Sequence, residues 1–291
     1  MPADTPSAPV EYELDGHVGI VRLNRPDNGN AYNAAMGDAL DRSLREADAD
    51  DEVRVIVLTG AGKAFCVGLD LSAGEQTFGG GGPLERDTTD GGSEGDSDGE
   101  GGGGFIAPFR LRKPVIAAIN GHAVGVGITM AMQCDIRIAA EDAKLGFVFV
   151  RRGIVAEAYG HWTVPRVIGL ARTAELFFTG RTFSGREGAE LGVVNRALPA
   201  DEVLPAALEL AREIAREASP AALALSKELL WASAAMSPGE VFAAEAARVR
   251  WLGAGPDAAE GVRSFLERRE PNWSVSVSRD LPEHLRIAGD A

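Results

Sequence analysis

Hydrophobic and polar positions alternate near the start of the chain and then change their period. The alternation over "VEYELDGHVGIVRLNR" is typical of two β-strands, and the Asp15-Gly16 pair between them is favoured in tight hairpin turns. Asn33 stands where a helix N-cap is expected, before a helical spacing that extends to about Asp48. The apolar run from Val53 is typical of a buried strand. The chain is therefore predicted to open as β-β-α-β.

The middle of the chain predicts a strand, a turn, a helix and a second strand. In "PVIAAINGHAVGVGITMAMQCDIRIAA" the first strand ends near Asn120, and an apolar helix runs from the glycine-rich turn to about Gln133. This order is typical of a right-handed crossover between parallel strands. From Leu170 onward the spacing is mainly helical, over residues 171–178, 203–216, 220–235 and 257–268. We expect an α/β core with a helical C-terminal region, and sites where strand ends meet helix starts.

One segment interrupts this pattern. Residues 79–104 consist mainly of Gly, Asp, Glu and Ser, a composition that cannot form a packed core, so a disordered loop is predicted. Patterned sequence resumes after it, and a long loop costs little closure entropy, so the loop is expected to bulge from one domain. The predicted organisation is a core over residues 1–200 and a helical region over residues 201–291.

Composition narrows the possible partners. The chain has 291 residues, of which 45% are hydrophobic, so it can bury a sizeable core. Its formal charge of -14 argues against nucleic acid or an anionic membrane as the main partner. No basic-then-apolar leader and no long apolar run are present, so we expect a cytoplasmic protein. Cys66 and Cys134 have neither metal-ligand spacing nor a disulfide pattern, and no metal site is predicted.

Two glycine-rich segments resemble nucleotide motifs but lack their defining residues. Lys63 in "TGAGKAF" is followed by Ala64 rather than Ser or Thr, which excludes a P-loop. In "GVGITM" the third position after Gly127 is Met130, so the dinucleotide fingerprint also fails. What remains is two strand-to-turn segments, "AFCVGLDL" and "NGHAVGVG". If these turns converge, their free backbone N–H groups could bind one oxygen as an oxyanion hole does.

Four motifs in this order resemble the enoyl-CoA hydratase/isomerase (crotonase) superfamily. They are "RLNRPDNGNAYNAAM", "GKAFCVGLDL", "KPVIAAINGHAVGVGITMAMQCDIRIAAEDAKLGF" and "FFTGRTFSGREGAELGVVNR". The resemblance covers about residues 10–270 without the acidic segment. It implies an α/β spiral of β-β-α units, a trimer or dimer of trimers, and an acyl-CoA thioester as substrate, with no cofactor besides the coenzyme A of that substrate. It also implies that the N–H groups of Leu69 and Val126 hold the thioester carbonyl.

The sequence departs from the family pattern at the two glutamates that hydratases use. Aligned without gaps, these positions hold Thr129 and Phe149, neither of which transfers a proton at neutral pH. Hydration requires one group that deprotonates water and another that protonates carbon. The conventional two-glutamate hydratase mechanism is therefore predicted to be unlikely in this chain.

Glu157 is the next candidate acid-base group. Its place in "RRGIVAEAYGHW" resembles the catalytic base of the peroxisomal-type Δ3,Δ2-enoyl-CoA isomerases, although Ala156 replaces the usual proline. One carboxylate suffices for a 1,3-proton shift. An apolar wall would raise the pKa of this carboxylate, and the predicted wall consists of Ile154, Val155, Trp162 and Val164. The alternative is a solvated loop residue paired with an arginine.

Further residues are predicted to line or support the substrate site. Arg25 and Lys227 resemble positions at which the family contacts the nucleotide half of CoA, and surface ion pairing is the alternative for both. The remaining candidate contacts, which belong to the two turns and the expected pocket wall, are Phe65, Gly68, Asp70, Gly125, Thr129, Phe149 and Trp162.

Three hypotheses therefore follow from the sequence. The first is an isomerase-like enzyme with Glu157 as its single base. The second is another enolate reaction on the same scaffold, namely hydrolysis, racemisation or an atypical hydration of a specialised acyl-CoA. The third is a catalytically silent CoA-binding subunit.

Overall fold

The computed structural model describes residues 8–78 and 106–285. The predicted disordered loop over residues 79–104 lies outside these ranges. Ten strands in the described part form two sheets, and nine α-helices surround them. The strands are β1 (Val10–Asp15), β2 (Val18–Leu23), β3 (Val55–Gly60), β4 (Ala64–Cys66), β5 (Val115–Ile119), β6 (His122–Val124), β7 (Ile136–Ala140), β8 (Lys144–Gly146), β9 (Thr182–Ser184) and β10 (Arg196–Leu198). The helices are α1 (Ala34–Ala49), α2 (Val126–Met132), α3 (Gly160–Ile168), α4 (Leu170–Thr179), α5 (Gly185–Leu191), α6 (Ala200–Glu217), α7 (Pro220–Ala232), α8 (Pro238–Gly253) and α9 (Pro256–Glu267).

The opening β-β-α-β prediction is confirmed. β1 and β2 form an antiparallel hairpin in which Asp15 pairs with Val18, so the two turn residues are Gly16 and His17, one position later than predicted. The positive φ of Gly16, 59°, explains why glycine occupies the turn. Asn33 caps α1 by accepting a hydrogen bond from the Met36 N–H at 3.0 Å.

From β3 to β8, successive strands alternate between the two sheets. The larger sheet has the order β1-β2-β3-β5-β7-β10 and the smaller has β4-β6-β8-β9. β3, β5 and β7 lie side by side and parallel in the larger sheet, and each is followed by a short strand of the smaller one. This repetition is a spiral of β-β-α units, so the predicted fold class is confirmed. β4 and β6 are three residues long, too short to give a readable period in the sequence.

Helix α6 packs on the larger sheet, against β3, β5 and β7. Its buried residues recur every four positions, and three of the four are alanine, which allows close approach to the strands. The boundary predicted at residue 200 assigns this helix to the C-terminal region, whereas its packing joins it to the core. Helices α7, α8 and α9 pack successively on one another beyond it. Within residues 8–78 and 106–285, no helix has the length and apolar character needed to cross a membrane.

Candidate active site

The two glycine turns, whose convergence the sequence left open, lie in contact. Gly68 follows β4 with φ 113°, and Gly125 precedes α2 with φ 58°. A Cβ added to Gly125 would lie 3.7 Å from the Cα of Gly68, and one added to Gly68 would lie 3.2 Å from the Val124 carbonyl oxygen. Both positions therefore need glycine for its backbone conformation, and Gly68 also needs it for space.

The hydrogen bonds of the first turn orient the Leu69 N–H away from Tyr32. The Tyr32 N–H donates to the Gly68 carbonyl at 2.8 Å, and the Asp70 N–H donates to the Tyr32 carbonyl at the same distance. In a trans peptide the C=O and the N–H point in opposite directions. Because the Gly68 carbonyl faces Tyr32, the N–H of Leu69 faces the other side.

The same reasoning applies to Val126, the first residue of α2. The Gly125 carbonyl accepts from the N–H groups of Ile128 and Thr129, both at 3.2 Å, so it points along the helix. The N–H of Val126 consequently points out of the helix start, where no intrahelical acceptor exists. Among the described residues, no acceptor forms a hydrogen bond with the N–H of Leu69 or with that of Val126. Two unused donors thus belong to two turns in contact.

Packing fixes the start of α2 on the end of β4. A Cβ on Gly127 would lie only 2.1 Å from the Cys66 carbonyl oxygen, which no real contact tolerates. The helix and strand backbones therefore touch directly at this position.

Arg25 and Asp70 support the first turn from outside. The Arg25 guanidinium contacts the Asp70 carboxylate at 2.9 Å and donates to the Ala31 carbonyl at 2.5 Å. Burial alone would raise the pKa of Asp70, but hydrogen bonds from Arg25 and Ser72 outweigh it and hold that pKa below its usual value. Asp70 therefore has a structural partner, and the predicted contact of Arg25 with CoA stays a prediction.

Glu157 lies in the segment that enters α3. The segment follows a 3₁₀ turn at Phe149–Arg152 and leads into α3, which packs on α2. A Cβ on Gly160 would lie 3.0 Å from the Thr129 methyl group and 3.2 Å from the Ala156 methyl group. The segment therefore covers Thr129, the position where a hydratase would carry its first glutamate. The Glu157 side chain is half-buried, and this burial raises the pKa of its carboxyl group.

The two residues after Glu157 both have left-handed backbones. Ala158 has φ 50° and Tyr159 has φ 59°. For a non-glycine residue this conformation costs roughly 1–2 kcal/mol each. Such strain persists only where surrounding contacts impose it, and it is concentrated at functional sites.

Several predicted contact residues have no accessible surface. Phe65 and Thr129 are fully buried and Phe149 is nearly so. Phe65 belongs to the apolar core between the sheets, so its predicted contact with substrate is not supported. The Thr129 hydroxyl lies 3.3 Å from the Gly125 carbonyl oxygen and 3.2 Å from that of Val126, so it remains within its own helix.

The predicted apolar wall around Glu157 is only partly present. Val155 is 72% exposed and contributes no enclosure in the described chain. Trp162 instead joins an aromatic cluster, with its ring 4.9 Å from Phe109 and stacked 5.6 Å from Trp231. Phe109 also contacts the Tyr159 ring at 5.1 Å. This aromatic cluster supports the outer side of the Glu157 segment.

Lys227 has a structural role that the sequence did not reveal. Its side chain is nearly inaccessible, and its ammonium donates to the carbonyls of Pro108 and Lys113 and pairs with Asp135 at 2.8 Å. The second oxygen of Asp135 accepts from the Trp231 indole at 2.7 Å. Because the ammonium is buried and fully occupied, it cannot also reach a CoA phosphate at the surface. The predicted Lys227 contact with CoA is therefore corrected to an internal ion pair.

Sequence reasoning missed two residues that shape the site. Tyr32 orients the Leu69 peptide through its backbone, and this pairing leaves no mark in the residue type. Gln133 was assigned only to the end of a helix, yet its amide reaches the Ala158 carbonyl. A polar residue at the end of an apolar helix was the signal for it. Among the described residues, no group of three His, Cys, Asp or Glu side chains could hold a metal ion.

Comparisons with known proteins identify the family of this chain. The sequence model of the enoyl-CoA hydratase/isomerase family matches residues 13–276. The chain is 39% identical over 279 residues to the enoyl-CoA hydratase ACTT3 of Alternaria alternata, covering 96% of this chain and 90% of that one. It is 34% identical to the mevalonyl-coenzyme A hydratase sidH of Aspergillus fumigatus, over 89% of this chain and 92% of that one.

A solved structure extends the agreement to the fold. The crystal structure of an enoyl-CoA hydratase from Mycobacterium tuberculosis H37Rv superimposes with a TM-score of 0.80 at 32% identity, covering 92% of this chain and 99% of that one. The sequence and the fold lead to one conclusion: the chain belongs to the enoyl-CoA hydratase/isomerase family and is an acyl-CoA enzyme of that family.

Proposed function

We propose that the protein is a Δ3,Δ2-enoyl-CoA isomerase in which Glu157 is the single catalytic base. The observation that carries the proposal is the link between the Glu157 segment and α2, the helix that begins with the unused N–H of Val126: α3 packs on α2, and the Gln133 amide at the end of α2 donates to the Ala158 carbonyl. A half-buried carboxyl with a raised pKa is suited to accept and return a proton.

The proposed reaction is a 1,3-proton shift. The Glu157 carboxylate takes a proton from C2 of a 3-enoyl thioester, and the electron pair moves onto the thioester oxygen as a dienolate. The N–H groups of Leu69 and Val126 stabilise the negative charge on that oxygen, an effect that makes such donors worth roughly 100-fold or more in rate. The Glu157 carboxyl then returns the proton to C4, which gives the 2-enoyl thioester and restores the carboxylate.

Three further residues are proposed to contact the substrate. Gly68 and Gly125 admit the thioester to the two donors, and Arg25 is the proposed cation for the nucleotide half of CoA. No cofactor beyond the CoA of the substrate is proposed. The absence of glutamate at positions 129 and 149 supports one base rather than the two-glutamate mechanism.

The test compares wild type with Glu157→Gln on 3-enoyl-CoA, following the absorbance of the conjugated thioester product. We expect kcat to fall by about 1,000-fold, because the amide cannot accept the proton. The matched control is Glu190→Gln, an exposed glutamate on α5, which should retain full activity. Isomerisation that survives intact in Glu157→Gln would reject Glu157 as the base.

Hydration of 2-enoyl-CoA is a second candidate, which the names of the hydratase relatives favour. It would need a second acid-base group, since Thr129 and Phe149 supply none. Loss of the conjugated absorbance when wild type is incubated with 2-enoyl-CoA would support it. Binding of CoA without turnover of either substrate would favour the silent subunit, and turnover confined to other acyl-CoA thioesters would favour another enolate reaction.

We also propose that the chain assembles as a trimer or dimer of trimers through its C-terminal helices. Large apolar side chains on α8 and α9 are exposed in the single chain, with Phe242 at 73% and Phe265 at 82%. Exposed apolar surface of this kind is typical of subunit contacts. Sedimentation of wild type and Phe265→Asp tests the assembly, and a wild-type monomer would reject it.

A further inference from the structure

The Glu157 segment needs an anchor because its conformation is strained. Left-handed Ala158 and Tyr159 follow the carboxylate directly, and each would relax if the segment were free. Within this segment the Glu157 carbonyl accepts from the Gly160 N–H at 3.0 Å, and the Tyr159 carbonyl accepts from the N–H groups of Trp162 and Thr163. These bonds fix the start of α3, but they are local to the segment and do not connect it to the oxyanion donors.

Gln133 makes that connection. Its Nε2 donates to the Ala158 carbonyl at 3.0 Å and lies 3.4 Å from the Thr129 carbonyl. Both neighbours are carbonyl oxygens, which only accept, so the amide nitrogen must face them. No other donor among the described residues reaches the Ala158 carbonyl.

Burial makes this hydrogen bond difficult to replace. Gln133 is 1% exposed and lies at the end of an apolar helix, so water cannot easily take the place of either partner. A buried carbonyl or amide left without a partner costs about 1–3 kcal/mol. The bond therefore holds the peptide that follows Glu157 at one distance from α2.

The position of Gln133 on α2 gives this anchor a consequence for the site. Val126 supplies an oxyanion N–H at the first residue of α2, and Gln133 caps the other end of the same helix. Thr129, between them, contacts the Gly160 backbone position. One rigid helix thus carries the donor at one end and the anchor of the base segment at the other.

We propose that Gln133 is a positioning residue that fixes the Glu157 carboxylate relative to the oxyanion donors through its hydrogen bond to the Ala158 carbonyl. This inference rests on the proposed role of Glu157 as the base. Gln133 itself does not contact substrate. Its loss would let the strained segment relax and allow water to reach the carboxylate.

The test uses Gln133→Met, which keeps the volume of the side chain and removes the donor. The matched control is Gln76→Met, the same change at an exposed glutamine. We expect Gln133→Met to lower kcat for 3-enoyl-CoA by about tenfold or more, as small displacements of a reacting group do. KM should change by less than about twofold, because the thioester contacts are unaffected. Gln76→Met should match wild type.

A second measurement separates positioning from a merely structural role and does not depend on turnover. The ¹³C carboxyl resonance that disappears in Glu157→Gln identifies Glu157, and its titration is followed in wild type and in Gln133→Met. We expect the pKa of Glu157 to move toward that of an ordinary glutamate in Gln133→Met, and the acid limb of kcat to move with it. A lower melting temperature with unchanged kcat and unchanged titration would overturn the proposal.

The two proposals fail in different ways. If wild type does not isomerise 3-enoyl-CoA, the proposed function fails, while the titration still tests Gln133. If wild type isomerises and Glu157→Gln does not, but Gln133→Met behaves as wild type in both measurements, only the positioning role fails. Should Gln133→Met not fold, Gln133→Asn, which retains an amide too short to reach Ala158, replaces it in both measurements.

Discussion

The two halves of the candidate site are built from different kinds of atoms. The proposed oxyanion half consists of the backbone N–H groups of two turns, and these turns pack so closely that a Cβ on Gly127 would lie 2.1 Å from the Cys66 carbonyl oxygen. The base half consists of one side chain on a segment with two left-handed non-glycine residues and an exposed neighbour, Val155. Backbone N–H donors tolerate a change of side chain but not a change in packing. A side-chain base depends instead on one residue and on the contacts that hold that residue in place.

The largest expected effect comes from adding a single methyl group to the oxyanion half. Gly127→Ala forces a Cβ into the Cys66 backbone, which cannot move without shifting β4, so we expect a loss of about 3 kcal/mol in the free energy of unfolding. Denaturant unfolding measures it. Gly239→Ala is the control, since nothing lies within 4 Å of its Cβ and alanine favours helix α8. Equal stability of Gly127→Ala and wild type would disprove the close approach.

The base half is expected to control the pH dependence. In the proposed mechanism the ionised form of Glu157 is the active base, so kcat/KM should fall about tenfold per pH unit below the pKa of Glu157. Because burial raises that pKa, the decline should begin at higher pH than for an exposed glutamate. A pH–rate profile on 3-enoyl-CoA measures it, and a flat profile down to the ordinary glutamate range would contradict the burial of this group.

The raised pKa of Glu157 also affects stability. Activity is expected to fall in acid, whereas stability is expected to gain there. The folded protein binds the Glu157 proton more tightly than the unfolded chain, so the ionised carboxylate destabilises the fold above the unfolded pKa. This loss is relieved as pH falls through the folded pKa. We therefore expect Glu157→Gln to raise the melting temperature at neutral pH, and the difference to vanish in acid. Melting curves at both pH values test it, and a lower melting temperature at neutral pH would contradict it.

Backbone strain in the base half predicts a smaller effect, on the free energy of unfolding. Ala158→Gly removes the cost of a left-handed non-glycine residue and should stabilise the protein by up to about 1 kcal/mol. The control is Ala243→Gly on the exposed side of α8, where glycine should cost about 1 kcal/mol. If both substitutions destabilise equally under denaturant, Ala158 is not strained.

The smallest effect should follow a change of side chain at an oxyanion donor. Leu69→Ala keeps the N–H that binds the thioester oxygen, so kcat should change by less than about threefold. Steady-state kinetics on 3-enoyl-CoA measure it. A loss of about 100-fold would mean that the Leu69 side chain, rather than its backbone, stabilises the dienolate.

Much of the fold could be predicted from the sequence because the sequence signals for it are local or repetitive. The hairpin around Gly16, the cap at Asn33 and the apolar helix ending near Gln133 depend on neighbouring residues, and the structure confirms all three. Strand β6 was predicted to be part of a glycine-rich turn, because three residues do not establish a period. Helix α8 was missed because its apolar residues do not form one stripe: Phe242 and Val249 remain exposed.

The sequence by itself determined the family, the two glycine turns, and the presence of Thr129 and Phe149 where hydratases carry their two glutamates. Only the tertiary structure decided that the turns touch, that Lys227 is an internal partner of Asp135, and that Phe65 belongs to the core. It also decided that Gln133 joins α2 to Ala158, a contact across 25 positions of the chain. The reason is physical: residue types and their spacing specify local backbone conformation, whereas burial and hydrogen-bond partners depend on which distant segments pack together.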